Sequence, residues 1–366
     1  MGSSCSFPKC YDNNEIPGTI ETESEPKKKD NEIPLDTFLL LIPDQIKKEM
    51  ESEKDFFENQ KNNSSIKTIK IEDENSVNNE EIYYHGEFND KDEQEGIGKM
   101  IIINESKEKT IYHGIWEKNE LKKGIIYYND NSKYKGDIKN LLRHGKGTYT
   151  SEAETYEGNW VEDKKEGEGF LTFKDKITYK GSFKNNKFNG EGEMKWPNNI
   201  YYKGEFSNNL FHGKGFLKGN NDNTYTGNFS KGIYNGEGEF KWVKGVKTAI
   251  YKGNYSWGKK DGKGTLSWDN GNKYYGCWES GLPHGEGIFE TKNRKYHGNW
   301  RSGFFLQLIE SEEKKGSEEE NINLTFSTPI EDIEINGPFK FNNNSIHGSN
   351  HKNGYNDVLV EVIKQN

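Results

Sequence analysis

The stretch YEGNWVEDKKEGEGFLTF, Tyr156–Phe173, holds three glycines and four aromatic residues, and its reading decides the fold. Glycine-rich runs often cradle phosphate, so Gly167-Glu168-Gly169 is either a ligand loop or part of a framework. Recurrence separates the two. Tyr-x-Gly recurs at Tyr84, Tyr112, Tyr134, Tyr156, Tyr179, Tyr202, Tyr225, Tyr251, Tyr274 and Tyr296, mostly 22 or 23 residues apart. Eleven residues after the Tyr comes Gly-x-Gly, from Gly145/Gly147 to Gly285/Gly287; the first unit has it one residue late, and the second keeps only Gly124. Four residues after the Tyr stands a large residue: Phe88, Trp116, Ile138, Trp160, Phe183, Phe206, Phe229, Tyr255, Trp278 or Trp300. A phosphate cradle would occur once, ahead of a helix N-terminus. A pattern repeated about ten times with no helix after it is framework.

Within a unit the period is two, the mark of strands. Tyr156, Gly158 and Trp160 share one face of a first strand, and Gly169, Leu171 and Phe173 share one face of a second. VEDKKEG and KDKIT between them read as turns. Each unit is then a hairpin with an aromatic face, marginal alone and stable in a row. Glycine beside each ring leaves room for rings of the neighbouring strands.

Tyr-x-Gly-x-aromatic, six residues, Gly-x-Gly resembles the MORN (membrane occupation and recognition nexus) repeat, over about residues 83–303. The resemblance implies an all-β protein: an elongated, twisted, single-layer antiparallel sheet of about ten stacked hairpins, with a grooved face. It also implies membrane association and organisation of membrane–cytoskeleton or other protein assemblies through an extended face or groove. Radial-spoke head proteins resemble the same array, so a cilium or flagellum axonemal component is an alternative, and phosphoinositide binding is another.

Bulk composition agrees with a β framework. Only 30% of residues are hydrophobic, 13% are aromatic, and alanine occurs only at Ala153 and Ala249. Asparagine runs are attributed to codon usage. Two of the three cysteines, Cys5 and Cys10, lie in the first ten residues, and Cys277 stands alone, which is neither a disulfide framework nor a zinc site. No run approaches the length of a membrane span.

The N-terminus MGSSCS fits M-G-x-x-x-[ST], which makes Gly2 a myristoylation candidate and Cys5 and Cys10 S-acylation candidates. One myristoyl chain holds a membrane only marginally, so a second signal is expected. Residues 1–34 read as an acylated flexible tether. Residues 35–75 hold a short amphipathic helix opened by Pro43 and Asp44, with Ile42, Ile46, Met50 and Phe57 at helical spacing, and an extra edge strand at 66–71. The helix either packs on the sheet or binds a partner. The repeat array spans 76–303. Residues 304–366 read as an acidic, Asn-rich, partly disordered tail, with Val358, Val360 and Val362 as a capping strand.

Residues 83–303 hold 36 Lys and Arg against 30 Asp and Glu, leaving 15 and 30 of the chain's 51 and 60 for the flanks. A mildly basic array with acidic arms suits anionic phospholipid, although lysines such as Lys164, Lys165, Lys259 and Lys260 are also what solvated turns carry. The eight histidines fall at framework positions or in the tail, without metal-ligand spacing. No catalytic motif, cofactor site or metal site is found, and scarce arginine in an acidic chain argues against nucleic acid. The expectation is a non-catalytic scaffold on the cytosolic face of a plasma or ciliary membrane, held there by acyl chains and recruiting protein partners.

Overall fold

The computed structural model describes residues 31–53, 65–71, 80–219 and 221–314. These form one antiparallel sheet of 22 strands, in which each strand pairs with the next along the chain. The expected all-β single-layer sheet of stacked hairpins is what forms. At about 4.8 Å per strand the array is on the order of 100 Å long.

Two kinds of turn alternate along its edges. On one edge, nine two-residue turns have both residues at positive φ, as at Glu162-Asp163, Asn185-Asn186 and Asn208-Asn209. Their backbone twist matches that of the flanking strands, which is why Asn, Asp and Gly dominate the second position. Eight of these turns dock on the preceding hairpin by a backbone hydrogen bond. Asn186 N–H donates to Lys165 O at 3.1 Å while Lys165 N–H donates to Asn186 Oδ1 at 2.7 Å. Asn209 with Phe188, and Asp163 with Arg143, repeat the reciprocal pair. The asparagines at these positions therefore carry structure and are not explained by codon usage alone. On the opposite edge longer loops close the ladder, as where Phe173 N–H donates to Ile177 O at 2.9 Å.

Three expectations are corrected. VEDKKEG is not a turn: only Glu162 and Asp163 turn, and Lys164–Phe173 is strand. The pattern does not lapse after Gly303, because Phe304–Glu313 pairs with Arg294–Arg301 to complete the last hairpin. Two helices, not one, precede the array: α1 (Leu35–Leu40) and α2 (Asp44–Ser52), started by Pro34 and Pro43. The extra edge strand is present as Ser65–Ile71, itself paired with Asn31–Glu32. Phe57, and the capping strand expected at Val358–Val362, lie outside the described residues.

Both helices lie on the face of the sheet opposite the aromatic one. Phe38, Ile42 and Met50 pack on Ile101, Ile103, Ile111, Ile125 and Tyr127. The strands beneath are apolar on both faces: Met100 faces the aromatic cluster and Ile101 the helices. Ion pairs hold the free end of α2, with Lys135 Nζ 2.5 Å from Glu53 and Lys133 Nζ 3.4 Å from Glu49.

Candidate functional site

On the aromatic face each repeated tyrosine lies across two glycines paired on adjacent strands. Gly158 and Gly169 are cross-strand partners, and a methyl on either would sit 2.5 Å from the ring or hydroxyl of Tyr156. The hydroxyl then donates to the backbone carbonyl three residues on: Tyr156 to Asn159 at 3.0 Å, Tyr202 to Glu205 and Tyr225 to Asn228 at 2.9 Å. Burial raises the phenol pKa of these tyrosines above its ordinary value. The first glycine of Gly-x-Gly has a different job. Gly145, Gly167, Gly213 and their equivalents sit at positive φ, where the inner strand of the hairpin shifts register. Gly167-Glu168-Gly169 is thus a bulge followed by a ring platform, and no phosphate cradle.

The rings close over one another. Tyr202 stacks on Phe211 at 3.7 Å and meets Phe206 and Phe229 edge-on at 5.0 and 5.3 Å, pairs worth about 1 kcal/mol each beyond burial. Of the nine repeated tyrosines from Tyr84 to Tyr274, eight are at most 1% exposed and Tyr112 is 9% exposed. The expected groove is filled by the protein's own side chains.

Nine residues after each Tyr is a position that the sequence reading passed over. It holds Phe188, Phe211 and Tyr234, but also Arg143, Lys165 and Lys260, which are 4–6% exposed. Lys165 and Lys260 are therefore strand residues buried against rings, and not turn lysines. Arg143 lies 4.3 Å from the Trp160 ring centroid and Lys260 4.5 Å from that of Trp278, a cation–π geometry. Lys165 also pairs with Glu154 at 2.5 Å; burial pushes its pKa down, and Glu154 opposes that.

Sizes compensate between this position and the large residue of the next hairpin. Phe188, Phe211 and Tyr234 face Phe206, Phe229 and Tyr255 at 5.9, 5.7 and 5.8 Å. Where the partner is tryptophan, as at Trp160 and Trp278, the ring is replaced by an unbranched cation. At these hairpins the gap accepts either two medium rings or one indole beside a flexible chain, but Lys165 precedes Phe183 and Pro283 precedes Trp300 at the same two positions, so the compensation is not kept at every hairpin.

The second face is the available one. Its first part is covered by α1 and α2, and here His113, one of the framework histidines, is buried. Burial, helped by Lys99, pushes the His113 pKa down to about 3, and burial and Lys99 also lower that of neighbouring His85, which meets Phe38 and Thr68. The unfolded chain takes up this proton near 6.5, so stability is complete above that pH and falls as pH drops towards 3. From pH 7 to pH 5 this one group should remove about 2 kcal/mol. Urea midpoints at the two pH values should show His113→Leu losing that share of the dependence.

Beyond the helices the second face is open. Lys180, Lys203, Lys241 and Lys273 are exposed there and make no ion pair among the described residues. Phe170 and Tyr275 are exposed among them, at 43% and 54%. His297 meets Glu286 at 2.6 Å on the same face. No cluster able to hold a metal ion occurs among the described residues, and no helix there is long and apolar enough to cross a membrane. The lipidation candidates Gly2, Cys5 and Cys10 lie outside the described residues.

The MORN repeat family model matches seven segments: 134–152, 156–178, 179–200, 202–224, 225–247, 251–273 and 274–294. The chain therefore carries seven MORN repeats, each beginning at a repeated tyrosine, over less than half its length. The hairpins begun by Tyr84, Tyr112 and Tyr296 lie outside the matches yet continue the same sheet. Comparison with curated proteins returns no match. Among solved structures, the TCP domain of Drosophila melanogaster SAS-4, in complex with a proline-rich motif of Ana2, is 11% identical. That match covers 53% of this chain and 90% of the other at a TM-score of 0.17, and carries no argument.

Proposed function

We propose that this MORN-repeat array is a non-catalytic scaffold, tethered to the cytosolic face of a membrane by acylation of Gly2, with Cys5 and Cys10 as the second attachment. The observation that carries the scaffold reading is the division of faces. One face is sealed by rings, and the other presents a long, rigid, open surface with scattered lysines and aromatics. Such a surface suits recruitment of protein partners, while the ring-bearing face is filled by the protein's own side chains. Anionic phospholipid is a second ligand supported by Lys180, Lys203, Lys241 and Lys273, since lysines near a charged bilayer contribute about 1 kcal/mol each.

The anchor is tested by expressing the full chain and Gly2→Ala in eukaryotic cells and fractionating membranes. The wild type should sediment with membranes and the variant should become soluble, because a myristoyl chain forms only at an N-terminal glycine. A fully membrane-bound Gly2→Ala protein would remove acylation as the anchor. Detergent separates the axonemal alternative: an acylated scaffold is released, whereas a microtubule-associated part stays with the extracted cytoskeleton.

A further inference from the structure

The open part of the second face is crossed by a row of side chains that runs at right angles to the strands. Thr178 pairs with Lys195, Lys195 with Tyr201 and Tyr201 with Lys218, and the same register carries the row on to Lys273. In the other direction it reaches Thr150 and Lys133, beside the helices. From Thr150 to Lys273 the row holds only Thr, Ser, Tyr, Ile and Lys, over a distance on the order of 50 Å. No carboxylate interrupts it, and none of its members is buried. Lys195, Lys218 and Lys241 stand on every second strand, about 10 Å apart, with Lys273 three strands further on. Lys241 and Lys273 make no ion pair among the described residues. Lys195 and Lys218 pair with Glu193 at 2.6 Å and Asp222 at 2.8 Å, surface contacts weak enough to exchange. The neighbouring row, two residues along each strand, is different: Glu157, Glu193 and Glu239 stand there among its lysines. The basic strip is one side chain wide.

We propose that this row is the docking site for an extended, acidic segment of a protein partner, laid across the strands. The inference rests on the partner-recruiting reading of this face and adds the chemistry of the partner. The molecule already makes the contact once: Glu49 and Glu53 of α2 reach Lys133, a member of the same row, at 3.4 and 3.7 Å. There the helices also bury Phe38, Ile42 and Met50 on apolar members of the row such as Ile101 and Ile111. Between Thr150 and Lys273 the apolar members are reduced to Tyr201 and Ile250, so a second amphipathic helix has little to sit on. An extended chain needs no apolar floor, because its backbone groups can bond the hydroxyls that stand between the lysines. In the polyproline II conformation three residues advance about 9.3 Å. An acidic residue at every third position then meets Lys195, Lys218 and Lys241 in turn. A flat anionic bilayer would also meet the glutamates of the neighbouring row, and like charge there opposes it.

The test uses full-length, unacylated protein and a fluorescein-labelled peptide of six Glu-Pro-Pro repeats. A block peptide, with the same glutamates in one run followed by the prolines, carries equal charge without the spacing. By fluorescence anisotropy the repeat peptide should bind about tenfold more tightly than the block peptide and be released by about 0.5 M salt. Lys218→Glu/Lys241→Glu should weaken that binding about tenfold, whereas Lys184→Glu/Lys231→Glu, the same charge change on the turn edge, should leave it within about twofold. Both variants should keep the wild-type near-ultraviolet circular dichroism spectrum. A repeat peptide that binds no better than the block peptide, or equally well to Lys218→Glu/Lys241→Glu, overturns the proposal. So does binding seen only with Glu318→Gln/Glu319→Gln/Glu320→Gln, since the chain's own tail is then the occupant. Phosphatidylserine vesicles that need Lys218 and Lys241, where the peptide does not bind, would assign the row to lipid and are equally against it. Capture from a eukaryotic extract separates the two readings. Partners held alike by wild type and by Lys218→Glu/Lys241→Glu keep recruitment and overturn the row as its site; partners held by neither remove recruitment, and the proposal with it.

Discussion

Gly227→Ala is expected to destabilise the protein by about 3–4 kcal/mol, at the upper end for adding one methyl group. Its Cβ would lie 2.5 Å from Gly238 Cα on the partner strand, 2.6 Å from the Tyr225 hydroxyl and 2.7 Å from Glu237 O. Two of those atoms are backbone in a hydrogen-bonded ladder. The third is held by its bond to Asn228 O and by the stacked ring of Tyr234 at 4.0 Å. Neither side yields without opening the hairpin, and each hairpin buries the rings of its neighbours. Gly245→Ala is the control. It sits in a turn at φ +62 with nothing within 4 Å of a new Cβ, so only backbone strain, about 1 kcal/mol, is expected. Urea denaturation of the three proteins reads both effects. Equal losses at the two sites would mean that glycine serves as a flexible residue in the repeat and not as a platform for rings.

The second large effect is a coupling. Lys260→Phe places a ring where the Trp278 indole already fills the gap between hairpins, and should cost about 2–3 kcal/mol by overpacking. Trp278→Phe leaves space beside Lys260 and loses the indole N–H bond to Gly264 O at 3.1 Å, for a similar cost. Together the two substitutions recreate the pairing of Phe211 with Phe229. The double variant should recover about 2 kcal/mol relative to the sum of the single losses. Additive losses would show that the size compensation seen along the array has no energetic content.

These two predictions also mark what could be read before the structure. The hairpin repeat, its aromatic face and the paired glycines are local: a period of two and a ring two residues from a glycine state their geometry within a few residues. The second helix face and the covered strands were also legible in part. Met100-Ile101-Ile102-Ile103 and Ile125-Ile126-Tyr127 break the alternation, because both their faces are buried. Position nine was harder. Lysine after a turn has the composition of a solvated loop, and Lys165 and Lys260 become core residues only because a two-residue turn leaves them inside the strand.

From the sequence alone came the repeat, its strands and the reason for its glycines, since each follows from bonds and contacts within a single unit. Tertiary structure alone decided which lysines are buried, that the ring-bearing face is closed, where α1 and α2 lie, and that Asn31–Glu32 pairs with the first edge of the sheet. Those outcomes depend on surfaces contributed by residues some twenty positions or more away, and a residue's type does not say which neighbour will arrive to cover it.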